Sequence, residues 1–308
     1  MQAIRRLFGI ENKKQTTAKV KELKANSASS SAKKKQPRME RKDMEYSGEI
    51  YKYLRRVERV FTTKGSYLTD REAFRKGDRQ KAIEWMIDVH STLELKRETL
   101  YTGVSLFDRY IELISPPSEM LGLLALTCIF VGYKYEEVAY LFKEVLALRS
   151  FQGQFHEIDE IYEYEMVLLT SLGWRLSYLG PISFVDVLAG EKECSEETYE
   201  YAQDLSETLL VSGYTTFKQS SLLGAAIYWI ILRLDKKYIW NLELSAKSLY
   251  PEAQVIVAVK EIFEFLRVEK DRHYLSCNFT KSSYKLDHVI SRLKQLESDR
   301  KVRLFLEQ

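Results

Sequence analysis

Four histidines (His90, His156, His273, His288) and three cysteines (Cys128, Cys194, Cys277) are the residues of this 308-residue chain best suited to hold a metal or attack a substrate, and they are scattered. No CxxC pair, H-E-x-x-H run, P-loop or G-x-G-x-x-G stretch occurs, so neither a metal site nor a phosphate cradle is expected, and no cofactor. His156-Glu157 lacks the second histidine of a metalloprotease pair, and His156 is expected at the surface of a helix start. His90 is expected to be packed or solvated, and the acidic pairs Glu136-Glu137 and Glu196-Glu197 to be solvated helix faces. No catalytic constellation remains. One charge nevertheless stands out. Leu100, Val104, Phe107 and Ile111 recur at three- and four-residue steps and make one helix face apolar, with Arg109 and Glu112 off it, and Asp108 calls for an explanation.

The elements that position these residues are helical throughout. Tyr46, Ile50, Tyr53, Leu54 and Val57 are spaced for one face of a first helix. After a polar segment from Thr62 to Lys76, helices are expected at about 78–93, 97–114, 117–134, 136–147 and 155–172. Pro116 stands near the third start, where a missing N–H is harmless, and Gly173 ends the fifth. The pattern restarts at Pro181, with helices at about 181–189, 195–212, 218–234, 241–249 and 251–268. Five helices counted twice over similar lengths suggest an internal repeat. Leu222 to Leu232 is apolar nearly all round, as in a helix buried on every side. A last helix, about 284–305, carries Leu286, Val289, Ile290, Leu293 and Leu296 at helical spacing and is expected to pack on a domain.

Three stretches together resemble the cyclin box. Glu98-Thr-Leu-Tyr101 followed after six residues by Asp108-Arg-Tyr110 is similar to its second helix, Arg79-Gln-Lys-Ala-Ile-Glu-Trp85-Met-Ile-Asp-Val89 to its first, and Lys134-Tyr-Glu-Glu-Val138 to the end of its third. Tyr46-x-x-Glu-Ile-Tyr-x-Tyr-Leu-Arg55 resembles the helix that precedes the box in mitotic, B-type cyclins. The implied fold is all-α: two tandem five-helix repeats, at 77–174 and 175–270, with an N-terminal helix and linker over 43–76 and a C-terminal helix or tail over 271–308. In the second repeat the likeness rests on helix order and on Ser221-x-x-Gly-Ala-Ala226.

The resemblance also implies roles. Arg79 and Asp108 are expected to pair beneath the core as a structural ion pair. Lys134 and Glu165 are expected to hydrogen-bond backbone groups of a cyclin-dependent kinase, since an ammonium offers three donors and a carboxylate four lone-pair sites. Val131, Tyr135, Glu136, Leu169 and Trp174, with Ile50 and Tyr53 from the preceding helix, match positions lining the kinase interface, with core packing as the plainer alternative for the apolar ones. Gly132 stands where a small residue permits close approach, and Tyr133 departs from the usual Ser or Ala. The groove in which many cyclins capture Arg-x-Leu peptides is degenerate here: Trp85 and Asp88 remain, but Asp78, Lys81 and Ala82 occupy the apolar positions and Gly122 that of a Gln. Docking there is expected to be weak or absent, because a charged floor is costly to desolvate.

The bulk numbers agree with such a protein. A composition 45% hydrophobic and 30% charged suits a soluble globular chain, and 308 residues suit two domains and tails. The longest apolar run, Met120 to Val131, is too short for the roughly 20 residues a membrane span takes. No signal peptide opens the chain, and isolated cysteines point to a reducing interior, so nucleus and cytoplasm are expected and a membrane is not. Asn278-Phe-Thr280 fits a glycosylation acceptor but not that compartment. Residues 1–45 carry 13 Lys/Arg against 5 Asp/Glu. The tail, 1–42, is expected to be a solvated, disordered arm, with a nuclear-import or nucleic-acid contact through Lys33-Lys-Lys35 and Arg38 as the alternative. Within it, Ile4-Arg-Arg-Leu-Phe-Gly-Ile-Glu-Asn12 resembles both a cyclin-docking peptide and a shortened destruction box. Arg5, Leu7 and Asn12 would be the degron residues, with ubiquitin-ligase machinery as partner, and chance is the plainer alternative.

The expected function is therefore an activating, non-enzymatic subunit of a cyclin-dependent serine/threonine kinase in mitosis. The alternatives are a cyclin-fold transcription factor on DNA, or a cyclin of a transcriptional kinase. Residues 46–308 carry net negative charge, which opposes phosphate binding, so nucleic acid is not the expected partner.

Overall fold

The computed structural model describes residues 46–63, 76–137, 150–151, 154–189, 194–216, 218–237, 240–276, 282–299 and 302. Among these there are eleven α-helices and one antiparallel pair of two-residue strands, Ser150–Phe151 with Gln154–Phe155. None of the helices is long and apolar enough to cross a membrane. The expected tail motif at Arg5, Leu7 and Asn12, and most of the expected helix at 136–147, lie outside the described residues. The chain divides into two compact units, one from Ser66 to Tyr178 and one that joins residues 37–65 to Leu179 and everything after it.

The first unit contains α2 (Lys76–Leu93), α3 (Arg97–Ile114), α4 (Leu121–Glu136) and α5 (Ile158–Ser171), α1 being assigned to Ser47–Phe61. The boundaries of α3 are those its apolar spacing predicts. A 3-10 turn, Ser118–Met120, precedes α4 and delays its start by four residues relative to expectation. Every residue of α4 from Leu121 to Tyr133 is buried, as is every residue of α3 from Thr99 to Ile111, because both helices are packed on several sides. Within this core Asp108 accepts from Arg79 Nε at 2.8 Å and Nη2 at 2.9 Å. The expected structural pair is therefore present, bidentate and buried.

The second unit contains α6 (Pro181–Ala189), α7 (Glu196–Val211), α8 (Ser220–Leu234), α9 (Leu242–Ser248), α10 (Glu252–Ser276) and α11 (Ser282–Ser298). α8 is buried at every position from Leu223 to Arg233. Gly224 permits α6 to come close, since a Cβ there would lie 2.5 Å from Phe184 Cβ and 2.7 Å from the Pro181 carbonyl. α11 packs on α7 and α10 through Val289, Ile290, Leu293 and Leu296. The Tyr201 hydroxyl donates to the Val289 carbonyl at 3.2 Å.

α1 belongs to this second unit, packing on α6, α8 and α9. Its buried face differs from the expected one. Tyr51 and Glu58 are buried, whereas Tyr46 and Tyr53 are each 61% exposed. The reason is polar: the Glu58 carboxylate accepts from Ser221 N–H at 2.9 Å and Oγ at 2.8 Å, at the positive end of α8, and Tyr51 donates to the Ser221 carbonyl at 3.2 Å. Tyr250 completes the cluster, its hydroxyl 2.8 Å from Ser221 Oγ.

The internal repeat is visible in matched polar contacts. Glu137, the residue that closes α4, accepts from the Lys96 backbone N–H at 2.6 Å and from Thr99 Oγ1 at 2.8 Å, satisfying the N-terminus of α3. Asp235, the residue that closes α8, accepts from Ser195 N–H at 2.9 Å, Ser195 Oγ at 3.0 Å and Thr198 Oγ1 at 3.2 Å, at the N-terminus of α7. In each repeat an acid at the end of the third helix caps the second, and a Glu-Thr pair, Glu98-Thr99 or Glu197-Thr198, opens the capped helix.

Candidate functional site

The site is built at the meeting of α4 and α5 in the first unit. Lys134 stands in the last turn of α4, where a cation also suits the helix dipole, and Glu165 is the eighth residue of α5. They form an ion pair, with the carboxylate nearly buried and the ammonium more than a third exposed. The ammonium also sits over the Phe130 ring, 4.7 Å from its centroid, and Phe130 lies 6.0 Å from the ring of Tyr162. The pair is thus held from below by an aromatic face, an arrangement that stabilises a cation by about 0.5–2 kcal/mol.

Exposed apolar side chains lie along α5: Tyr162, Met166 and Val167. Tyr162 lies three residues before Glu165 and so on the same side of the helix, a spacing that could have revealed it in the sequence. Tyr135 is half exposed, with its hydroxyl 3.0 Å from Ser177 Oγ. Trp174 is 60% exposed, and it follows Gly173 in a second left-handed position, with φ of 60° and 59°. A bulky residue at positive φ is costly, and such strain tends to gather at binding sites. Its N–H donates to the Leu169 carbonyl at 2.9 Å, closing the end of α5.

Other expected residues are placed differently. Val131 and Leu169 are 2% and 6% exposed, so they fill the core beneath the pair and correct the expectation that they line a contact surface. Tyr133, at 1%, is likewise core. Gly132 does allow a close approach, but to α3: a Cβ there would stand 2.8 Å from the Thr99 carbonyl. One Glu136 oxygen accepts from Thr102 at 2.9 Å, so that side chain is engaged with the chain's own α3. With Glu137 capping α3, the second member of this acidic pair is not a solvated face as expected. Ile50 and Tyr53 lie on α1, in the other unit.

His156 is buried rather than at the surface. It precedes the capping box of Glu157 and Glu160 at the start of α5, and its Nδ1 lies 3.7 Å from Glu160. His90 is half-buried, with Nε2 3.0 Å from the Lys96 carbonyl. In the degenerate groove Ala82 is fully buried, Asp78 accepts from Ser118 Oγ at 3.1 Å and pairs with Lys81 at 3.8 Å, Trp85 is half-buried and Asp88 exposed. Among the described residues no group of His, Cys, Asp and Glu could hold a metal ion.

Comparison with known proteins fits this geometry. Residues 49–177 match the family model of the cyclin N-terminal domain. The chain is 25% identical over 230 residues to the G2/mitotic-specific cyclin-3 of Saccharomyces cerevisiae, covering 74% of this chain and 53% of that protein. It is 25% identical over 222 residues to the G2/mitotic-specific cyclin-B of Dictyostelium discoideum, covering 71% and 50%. The chain thus spans about half the length of the curated relatives it matches. Among solved structures, a viral cyclin from herpesvirus saimiri shares the fold with a TM-score of 0.52 at 16% identity, over 80% of this chain and 97% of that one. Residues 49–177 thus match a cyclin N-terminal domain, the second helical unit repeats the capping scheme of the first, and the relatives to which the chain is similar are named as mitotic cyclins.

Proposed function

We propose that this chain is the activating, non-catalytic subunit of a cyclin-dependent serine/threonine kinase that acts in mitosis. The observation that carries the reading is the Lys134–Glu165 pair, held over the Phe130 ring, which Tyr162 also meets, in a unit that exposes Tyr135, Tyr162, Met166 and Trp174. A partly desolvated ammonium and carboxylate side by side can hold both donors and acceptors of a foreign backbone, and exposed aromatic and methionine side chains of the same unit can supply apolar contact. The mechanism is a population shift. A rigid surface that binds one kinase conformation better than another stabilises that conformation by the difference in affinity, and phosphoryl transfer remains the kinase's own chemistry. The names of the relatives support the mitotic assignment. The basic tail, read as an import signal, supports action in nucleus and cytoplasm.

The test is co-purification and phosphotransfer with a recombinant cyclin-dependent kinase catalytic subunit. Glu165→Ala is expected to weaken binding by about tenfold or more, since a hydrogen bond to a charged group contributes about 1.5–3 kcal/mol. Unchanged binding by a variant whose α4 and α5 remain folded would remove the pair from the interface.

A further inference from the structure

We propose that Arg109, buried on α3, is a positioning residue that holds the exposed Trp174 in place on the kinase-binding surface. The inference rests on the functional reading above. Arg109 retains 9% of its exposure, and its Nη1 donates to the backbone carbonyl of Arg175 at 2.7 Å. That carbonyl belongs to the residue immediately after Trp174, where two successive left-handed residues have just turned the chain out of α5.

The rest of the segment is anchored in the same manner. Trp174 N–H is bonded to the Leu169 carbonyl, Ser177 Oγ to the Tyr135 hydroxyl, and the Tyr178 ring lies 5.4 Å from that of Tyr101. Tyr101 and Arg109 are about 12 Å apart along the axis of α3, at 1.5 Å per residue. Arg175 and Tyr178 span about 10 Å if extended, at roughly 3.4 Å per residue. The two separations match, so the strap from Trp174 to Tyr178 runs along α3 with an anchor at each end. Tyr135, beside Lys134, ties its middle.

Burial is unfavourable to the guanidinium itself, pushing its pKa down to about 10, with Arg175 adding to the effect. An apolar side chain would fill such a place at less cost but could not make the bond to the strap. Trp174 is the part of the strap that reaches solvent, and fixing it in advance lowers the ordering cost of binding.

The test is a double-mutant cycle in the full chain, with affinity measured for a recombinant cyclin-dependent kinase catalytic subunit. Arg109→Met is expected to weaken binding by about tenfold, and in a Trp174→Ala background by less than about twofold, because the route through Trp174 is already lost. Equal losses in both backgrounds, or no loss in either, would overturn the proposal. Fluorine NMR of 5-fluorotryptophan-labelled protein provides a second readout, with the Trp174 resonance assigned by Trp174→Ala. Arg109→Lys is expected to move or broaden that resonance while leaving those of Trp85, Trp229 and Trp240 in place; a Trp174 resonance unmoved, or all four moved together, would overturn it. If the wild-type chain does not bind the kinase, the functional reading fails, whereas the labelled spectrum still decides the placement of Trp174.

Discussion

Asp108→Asn removes the negative charge that neutralises the Arg79 guanidinium in the core of the first unit. Both carboxylate oxygens are engaged, at 2.8 and 2.9 Å, and the two side chains keep only 5% and 4% of their exposure. Two hydrogen bonds to a charged group contribute about 3–6 kcal/mol together. Breaking a buried pair by removing one partner costs about 3–5 kcal/mol, so two independent routes agree. Natural domains are stable by about 5–15 kcal/mol, which makes this loss a large fraction of the total. Hydrogen exchange read by mass spectrometry localises the effect. Amides of α2 and α3 are expected to exchange roughly 200- to 5000-fold faster, while those of α8 in the other unit change little. Arg79→Met with Asp108→Leu is expected to recover much of the protection, because no charge is left unpartnered. A cost below about 1 kcal/mol for Asp108→Asn, or a double variant worse than the single, would refute the reasoning.

Two further outcomes follow from the geometry. Glu137→Ala and Asp235→Ala are expected to destabilise by similar amounts, about 1–2 kcal/mol each, with increased exchange confined to the first turns of α3 and α7 respectively; spread through a whole unit, the increase would show that these acids are not caps. Burial raises the Glu84 carboxyl above its ordinary range, with Asp88 adding to the rise. The folded state therefore holds that proton more tightly than the unfolded one, and the stability this contributes is lost as pH rises through the raised value. Glu84→Gln is expected to raise the melting temperature at pH 7 and to make no difference near pH 4, and a gain independent of pH would contradict the assignment.

The helices were legible where one pattern dominates. Residues 97–114 and 181–189 begin and end where apolar spacing and Pro181 place them, because a helix with a wide buried stripe announces its period. The start of α4 was hidden, since the Ser118–Met120 turn is as compatible with helical spacing as the helix it precedes. The attachment of α1 was not readable at all: a periodic face says that a core exists, not which one, and buried Glu58 looks like a solvated acid until Ser221 is brought to it. His156 was misjudged because position before a helix says nothing about what covers the ring. Of the site, Lys134 and Glu165 are 31 residues apart, and only the family motif suggested their meeting. Val131 and Leu169 carry the right chemistry for an interface, but apolar identity alone does not separate a contact surface from the layer beneath it. The role of Arg109 needed the Arg175 carbonyl, a backbone atom that no pattern of side chains reveals.

The clasp of α1 onto Ser221 sets an order of events during synthesis. Glu58 leaves the ribosome 163 residues before its partner, an interval of roughly 8–30 s at ordinary rates of translation. Throughout that interval the entire first unit can be completed, while the nascent α1 waits with its inward face uncovered. The second unit is therefore the last to close, and it does so by gathering both an early and a late stretch of polypeptide around α8.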